Sequence, residues 1–514
     1  MRAALDSFAQ ASQNPDSRRF AVLIFLVGLG VEVSRVAQTT FFLEYAGADQ
    51  LPLVFVAFAA IMVIASSAYA TASRQIRLET LASITSAAAF AVFAVAWILI
   101  LMGVTSAILA YALYCIVEMC FIFMPLTIWA VANHFFDAED AERLLPPIAA
   151  FGLIGALIGG LISRSIVGVV GPYNTLPLAI AAYACCFHLT RQLKTQQLAM
   201  SRRERRPRPL RSEPIVVTLT CLSLPMFFLA YVIEYMYYST MDHIVADATD
   251  LSQFLSTFGI FCSVAAVLSQ VFLTPFLFRR LGVGTTAFVY PLALALGSLL
   301  ALAYALYLGI RPEDAAAPSM WLAMFVLSAR ALDIVLYQSI YDSATNILYY
   351  AVPSQTRTRA RSLIGGIMFP ASVACSGVLL MSFGYFNQPM YNVAFAAIVI
   401  GFLVLVMGMD LRPDYLRSLL ANSDEGNRKA RAAMLDEISR LSLNESRVLL
   451  LESLQTDRED EALFAVQKLL DTYDHFLLED LREIKPRIRP QVLKALTGAM
   501  AARGIAEKDR LLLA

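Results

Sequence analysis

Acidic and basic residues occur in pairs inside two strongly apolar stretches of the sequence. Glu32 and Arg35 stand within FLVGLGVEVSRVAQTTFFLEY, and Arg330 and Asp333 stand within a second stretch. Each pair is spaced by three positions, so in a helix both side chains lie on one face. A charged side chain at the centre of a membrane costs about 2.5 to 3.5 kcal/mol, which favours a protein interior or a wet cavity over lipid. Such pairs are typical of pathways for ions or polar solutes.

Further polar residues extend this candidate pathway. Glu118 has no base within one turn of its own helix and stands among Tyr111, Tyr114 and Phe121. It is a candidate proton acceptor, although a hydrogen bond from a tyrosine would satisfy it equally. Glu234 is expected nearer the outer face, where it would line a vestibule. The predicted substrate or ion pathway consists of Glu32, Arg35, Glu118, Glu234, Arg330, Asp333 and Tyr337.

The elements that must position these residues are membrane helices. The chain has 514 residues, of which 58% are hydrophobic and 16% charged, and such a composition indicates a membrane protein. Apolar windows of about 20 residues recur from about residue 20 to residue 410. They predict twelve crossings, near 20–43, 51–71, 80–102, 106–133, 147–170, 174–190, 215–241, 252–278, 284–308, 318–350, 362–384 and 391–410.

A strongly basic insert divides the predicted crossings into six and six. The two halves also share a sequence pattern, since AGADQL after the first crossing has a counterpart in ADATDL after the seventh. The predicted fold is an all-α membrane protein with two six-helix pseudo-repeats, which is typical of alternating-access transporters. The predicted domains are a cytoplasmic segment 1–19, a first half 20–190, a linker 191–213, a second half 214–410 and a soluble helical domain 411–514.

Basic residues predict the orientation in the membrane. Arginines concentrate in the segments that are inside if the amino terminus is cytoplasmic, and acidic residues concentrate on the opposite side. By the positive-inside rule, both termini are then cytoplasmic. The polar opening of the chain lacks the features of a cleaved signal, so the first helix is expected to be retained.

Two charged turns on the predicted cytoplasmic side could form a gate. The acidic turn DAEDAER in the first half opposes an arginine-rich turn in the second half, so ion pairs between them would close that side. The candidate gate residues are Asp137, Glu139, Asp140, Arg143, Asp342, Arg357, Arg359 and Arg361.

Several functions find no support in the sequence. The seven cysteines all fall in apolar segments without metal-ligand spacing, so they are interpreted as small buried hydrophobes. The sequence has no Walker phosphate loop. We therefore expect a carrier rather than an enzyme, without metal or cofactor and without a nucleic-acid partner.

Three passages carry a resemblance to a known family. They are AQTTFFLEYAGADQLPLVFV, WAVANHFFDAEDAERLLPPIAAFGLIGALIGG and YDSATNILYYAVPSQTRTRARSLIGG. With them the chain resembles the nucleotide-transporter branch of the major facilitator superfamily, the ATP/ADP translocases of obligate intracellular bacteria and plastids. The resemblance implies a twelve-helix fold with a central cavity, a bacterial inner membrane and an anionic substrate. Those carriers use membrane lysines, whereas this chain has none between residues 20 and 189 or between 215 and 410.

The last hundred or so residues are charged and periodic. Four short amphipathic helices, separated by polar or helix-breaking residues, resemble HEAT-type repeats. They predict either a regulatory module for a cytoplasmic protein partner or a stabilising cap. The leading hypothesis is a secondary transporter of an anionic or amphipathic small solute, such as a nucleotide or an organic phosphate. The alternatives are a lipid flippase of the same fold and a transporter-like receptor or scaffold that signals through the tail.

Overall fold

The part of the chain that the structure describes is built from helices and contains no β-strand. The computed structural model describes residues 15–135, 138–193, 209–245, 247–310, 320–352, 354–385, 390–421 and 490–502, and the single residues 454, 466 and 488. Most of the predicted soluble domain therefore lies outside the described residues, as do most of the predicted amino-terminal segment and most of the basic linker.

The helices before the basic insert form a first helix set. Gly47 (φ 81°) and Gly171 (φ 84°) take left-handed backbone conformations at two of its short connections, which glycine does without steric cost. The set consists of α1 (Pro15–Tyr45), α2 (Leu51–Gln75), α3 (Leu78–Leu101), α4 (Ala107–Phe135), α5 (Ala138–Val170) and α6 (Leu176–Arg191).

The helices after the insert form a second helix set and a short extension. They are α7 (Pro214–Ile244), α8 (Ala248–Leu268), α9 (Thr274–Leu281), α10 (Val283–Ile310), α11 (Met320–Leu336), α12 (Asp342–Leu348), α13 (Ser354–Leu363), α14 (Phe369–Tyr385) and α15 (Met390–Gly408), followed by α16 (Leu411–Ala421) and α17 (Pro490–Ala502). Three π-helical turns, Ser269–Leu273, Tyr337–Tyr341 and Ile364–Met368, join consecutive helices into longer rods. Each π turn adds a residue to the helical turn and so redirects the side chains that follow it.

Among the described residues, nine helices are long and apolar enough to cross a membrane. This confirms a multi-pass membrane protein, and these helices match nine of the twelve predicted crossings. The remaining predicted crossings fall on α6, which has 16 residues, on the apolar segment Val283–Leu299 of α10, and on the rod from α11 to α12 that a π turn interrupts. The count of twelve therefore remains a prediction.

Glycines let the helices of the first set approach closely. A side chain at Gly155 would collide with the carbonyl oxygen of Phe25, and one at Gly159 would lie 2.9 Å from the carbonyl oxygen of Leu29. The GALIGG passage of α5 thus packs directly on the backbone of α1, as small residues at four-residue spacing predict. Gly28 of α1 meets α5 in the same way.

The same packing pattern recurs in both helix sets. Helix α1 packs on α5 as α7 packs on α14, and α3 packs on α6 as α10 packs on α15. Between the sets, α5 packs on α8 and α2 packs on α14. Each contact in one set thus has a counterpart in the other, which is the relation expected of two structural repeats.

Helix α16 lies within the predicted soluble domain but packs on the membrane helices. The backbone N–H of Ile215 donates to the Ser418 hydroxyl at 3.1 Å, and the Thr218 hydroxyl donates to Asp414. Leu411 and Tyr415 are fully buried. The apolar face of this helix covers the start of α7.

Candidate functional site

Arg330 lies between two carboxyl groups in the middle of the helices. Its Nη1 donates to Asp333 on the same helix at 2.6 Å, and its Nη2 donates to Glu234 on α7 at 2.6 Å. The side chains of Arg330 and Glu234 are each 11% exposed. Charge-assisted bonds of this length are strong, and the bond to Glu234 holds α11 against α7.

Tyrosines complete the bonding of both carboxyl groups. The Tyr290 hydroxyl donates to Asp333 at 2.7 Å, using the oxygen that does not bind Arg330. The Tyr114 hydroxyl donates to the second oxygen of Glu234 at 3.0 Å. Because Tyr114 is on α4 and Glu234 is on α7, this bond joins the first helix set to the second. We call Arg330, Asp333, Glu234, Tyr290 and Tyr114 the central network.

Arg35 binds a carboxyl group on a different helix from its own. Its Nη2 lies 3.6 Å from Glu118 Oε1, and its guanidinium carbon lies 4.4 Å from the centre of the Phe121 ring. Glu118 and Phe121 are one turn apart on α4. Glu118 forms an ion pair with the guanidinium of Arg35, and the Phe121 ring makes a cation–π contact with it. Glu118 has no base on its own helix within one turn, and its ion pair comes from Arg35 on α1.

Glu32 is placed differently from the other acids. One of its carboxyl oxygens occupies the space that a Cβ atom at position 259 of α8 would need, and Gly259 leaves that space free. Among the residues that the structure describes, Glu32 has no hydrogen bond or ion pair. The expected pairing of Glu32 with Arg35 is thus not formed, since Arg35 turns to α4.

Tyr337 belongs to an aromatic lining that starts beside the central network. Its ring centroid lies 5.5 Å from that of Tyr290, 5.8 Å from that of Tyr341 and 6.3 Å from that of Phe227. Tyr337 opens the π-helical turn of this rod, and its side chain is half-buried. The lining offers ring faces on which a planar or apolar part of a solute could pack.

At the end of the bundle that carries Gln50, the two helix sets are in contact. The backbone N–H of Ala48 donates to Asp242 at 3.2 Å, and Arg164 donates to Gln253 at 2.6 Å. The Arg164–Gln253 bond joins α5 to α8. These contacts close the bundle at this end, which we call the Gln50 end.

At the opposite end, two arginines each have a contact within their own helix set. Arg361 donates to Asn346 at 2.8 Å and lies 4.8 Å from the centre of the Tyr349 ring. Arg357 donates to the Val352 carbonyl at 3.2 Å, whereas Arg359 is exposed.

The acidic partners of the predicted gate cannot be placed in the same way. Asp137 lies outside the described residues, and so do the side chains of Glu139, Asp140 and Arg143. Asp342, also a predicted gate residue, is exposed at this end. The predicted latch therefore stays a prediction.

Sequence reasoning missed three residues of this site. Tyr290 and Gly259 stand in ordinary apolar helix sequence, and no signal in the sequence distinguishes them. Asp242 was expected only as an outer acidic residue, and its bond to Ala48 depends on how the halves meet. Glu234, which was expected to line an outer vestibule, binds Arg330. Among the described residues, no three His, Cys, Asp or Glu side chains are grouped to hold a metal ion.

A comparison with protein families and with curated proteins finds no match to the sequence. Solved structures do match. The nucleoside transporter NupG is 12% identical with a TM-score of 0.51, covering 77% of this chain and 98% of that one. A D-xylose-proton symporter is 11% identical with a TM-score of 0.55, and the match covers 76% of this chain and 96% of that one. An auto-inhibited POT family peptide transporter is 11% identical with a TM-score of 0.53, covering 78% and 97%.

The chain has the fold of the major facilitator transporters. This confirms the coarser part of the resemblance, the helical membrane fold. The ATP/ADP translocase branch and the HEAT-like tail remain predictions. Within the major facilitator fold, the central network lies where the two helix sets face each other.

Proposed function

We propose that the protein is a secondary transporter that moves a small solute by alternating access between its two helix sets. The observation that carries this proposal is the Tyr114–Glu234 bond, which joins the sets through a buried ion-pair network. Buried ion pairs give little net stability compared with apolar packing, so their presence favours a role in a pathway. The likeness to transporters of nucleosides, peptides and D-xylose supports the same proposal.

We further propose twelve crossings in two halves of six, with both termini cytoplasmic, in a bacterial inner membrane. The recurring helix contacts and the excess of arginine at one end support this arrangement. In this orientation the Gln50 end is outside, and the contacts between the sets close that side. Alternation must therefore break both the Ala48–Asp242 and the Tyr114–Glu234 bonds.

The charges of the site restrict the substrate. Glu32, Glu118, Glu234 and Asp333 provide four carboxyl groups, against two guanidinium groups in Arg35 and Arg330, and the membrane helices contain no lysine. Both arginines are bound to carboxyl groups. A nucleotide carries several negative charges and would face an excess of acids, so the site fits a solute with little net charge better than the anion that the resemblance implies.

The aromatic lining adds a second restriction. Tyr337, Tyr341 and Phe227 offer ring faces close to polar groups, which suits an amphipathic solute with a planar or apolar part. We therefore propose a small, weakly charged, amphipathic organic solute.

Uptake into proteoliposomes tests the proposal. Purified protein would be offered labelled uridine, a labelled dipeptide, labelled xylose and labelled ATP, each with and without a pH gradient. We expect uptake of at least one uncharged or zwitterionic solute, and loss of that uptake in Arg330→Met. Uptake of ATP alone would favour the nucleotide carrier that the resemblance implies. Absence of uptake for all four solutes would contradict the proposed substrate class.

A second candidate function is lipid translocation. A groove of about 400 Å³ lies between α8 and α11 and is open to the surface of the bundle. Its lining is mostly apolar, from Phe254, Thr257, Phe258, Phe261, Leu327, Ser328 and Ala331. An acyl chain would fit such a surface while its headgroup faced the site. Protein-dependent movement of fluorescent phospholipid across vesicle membranes, without uptake of any soluble solute, would favour the flippase.

A further inference from the structure

Two hydrogen-bond donors at the central network have no acceptor within the part of the chain that the structure describes. One is the Nε–H of Arg330, whose other two guanidinium nitrogens bind Asp333 and Glu234. The other is the hydroxyl group of Tyr237, a side chain that is only 3% exposed. A buried donor without an acceptor lowers the stability of a protein, so each such group in a native structure requires an explanation.

The two donors lie near each other, where α11 packs on both α7 and α8. Tyr237 stands one turn beyond Glu234 on α7, and its ring stacks on Phe258 of α8 at 5.2 Å between centroids. Arg330, which binds Glu234, lies close enough to act electrostatically on Tyr237. Glu32 also acts on Tyr237, yet its carboxyl group accepts no hydrogen bond from that hydroxyl group.

The carboxyl groups of the central network already have a donor on each oxygen. Glu234 accepts from Arg330 and Tyr114. Asp333 accepts from Arg330 and Tyr290. With one guanidinium and two carboxylates, the network is net negative, so it repels an anion but not an uncharged oxygen atom. The acceptor that fits the two donors is therefore the oxygen of an uncharged group, such as a ketone or an amide.

The free donor on α7 and the aromatic lining lie on opposite sides of the Arg330–Glu234 ion pair. Tyr237 follows Glu234 along α7 toward the Gln50 end. Tyr337 follows Arg330 along the α11 rod toward the opposite end. A solute held between them would direct its acceptor oxygen toward the Gln50 end and its planar part toward the opposite end.

We propose that Arg330 and Tyr237 donate these two hydrogen bonds to the solute, which is an uncharged molecule with a carbonyl or amide oxygen at one end and a planar part at the other. A cation is attracted by the acids of the site but offers these donors no acceptor. An anion offers acceptors but meets the net negative charge. Movement of the solute across the membrane rests on the proposed function, whereas its binding does not.

Binding of three matched probes to the purified protein tests this recognition without any transport. On the same phenyl ring, benzamide presents a neutral carbonyl oxygen, benzoate an anionic acceptor and benzylammonium a cation without an acceptor. In titrations followed by ligand-observed NMR, we expect benzamide to bind most tightly. Equal or tighter binding of either charged probe, or binding of none of the three, would overturn the proposal.

Two variants each remove one of the donors. Tyr237→Phe should weaken benzamide binding about twofold to tenfold, as expected for loss of a neutral hydrogen bond. Arg330→Lys keeps the positive charge but has no Nε–H, and should weaken binding about tenfold. The matched control is Tyr183→Phe, which removes the hydroxyl group of another fully buried tyrosine, stacked on Phe93 at 5.2 Å, and should bind benzamide as wild type does.

The thermal stability of Tyr237→Phe separates recognition from a structural role. Without probe its Tm should equal or exceed that of wild type, because the hydroxyl group it removes has no acceptor among the described residues. A lower Tm, or benzamide binding equal to that of wild type, would overturn the proposal. If Arg330→Lys does not yield folded protein, Tyr237→Phe alone decides. If benzamide binds through Tyr237 while no solute is taken up by proteoliposomes, the proposed transport function fails and the binding site stands.

Discussion

Replacing Tyr114 by phenylalanine removes a hydrogen bond by which the first helix set holds the second. The bond measures 3.0 Å, its acceptor is the carboxylate of Glu234, and both side chains are buried. A hydrogen bond to a charged group contributes about 1.5–3 kcal/mol. Glu234 keeps its ion pair with Arg330 in the variant, so the loss falls on the contact between the sets rather than on the charge.

At about 1.4 kcal/mol for each factor of ten, this loss should lower the ratio of closed to open molecules by about tenfold to a hundredfold. Spin-label distances between Asp49→Cys and Asp250→Cys would measure the two populations. The control is Tyr237→Phe, which removes a buried hydroxyl group that has no hydrogen-bond partner among the described residues. If Tyr114→Phe opens the Gln50 end no more than Tyr237→Phe does, the central network does not hold the sets together.

Three further predictions concern the network, the packing and the opposite end. Arg330→Met leaves two buried carboxyl groups without their base and should cost about 3–5 kcal/mol of stability, visible as a lower Tm, with recovery when both acids are also made amides. Gly155→Leu should separate α1 from α5 and lower the Tm, whereas Gly384→Leu, in open space, should not, and equal effects would contradict the packing account. Neutralising Arg357 and Arg359 together should make cysteines introduced at the arginine-rich end more accessible to a thiol reagent. Unchanged accessibility of those cysteines would refute the predicted latch.

The interior charges were predictable from the sequence because charged side chains in lipid would be too costly to keep. Arg330 and Asp333 do form the pair that their spacing predicts. Glu32 and Arg35 have the same spacing and do not pair, because Arg35 is long enough to reach the facing helix and finds Glu118 and Phe121 there. Spacing determines which side chains share a helix face, but the facing helix determines which of them bind.

The partner of a residue was less predictable than its helix. Glu234 was expected to line an outer vestibule, and nothing in the sequence indicates that it binds Arg330 of another helix. The π-helical turns, which redirect the side chains after them, have no pattern in the sequence that predicts them. Gly259 matters only through what lies across from it, so no single-sequence argument could have identified it.

A reversible cross-link at the Gln50 end tests alternating access between the two helix sets. The backbone N–H of Ala48 donates a hydrogen bond to the side chain of Asp242. Cysteines at these two positions, Ala48→Cys and Asp242→Cys, should therefore form a disulfide between the sets. Uptake of the transported solute into proteoliposomes should stop when the bridge forms and return on reduction. Uptake that continues at the wild-type rate with the bridge intact would contradict alternating access.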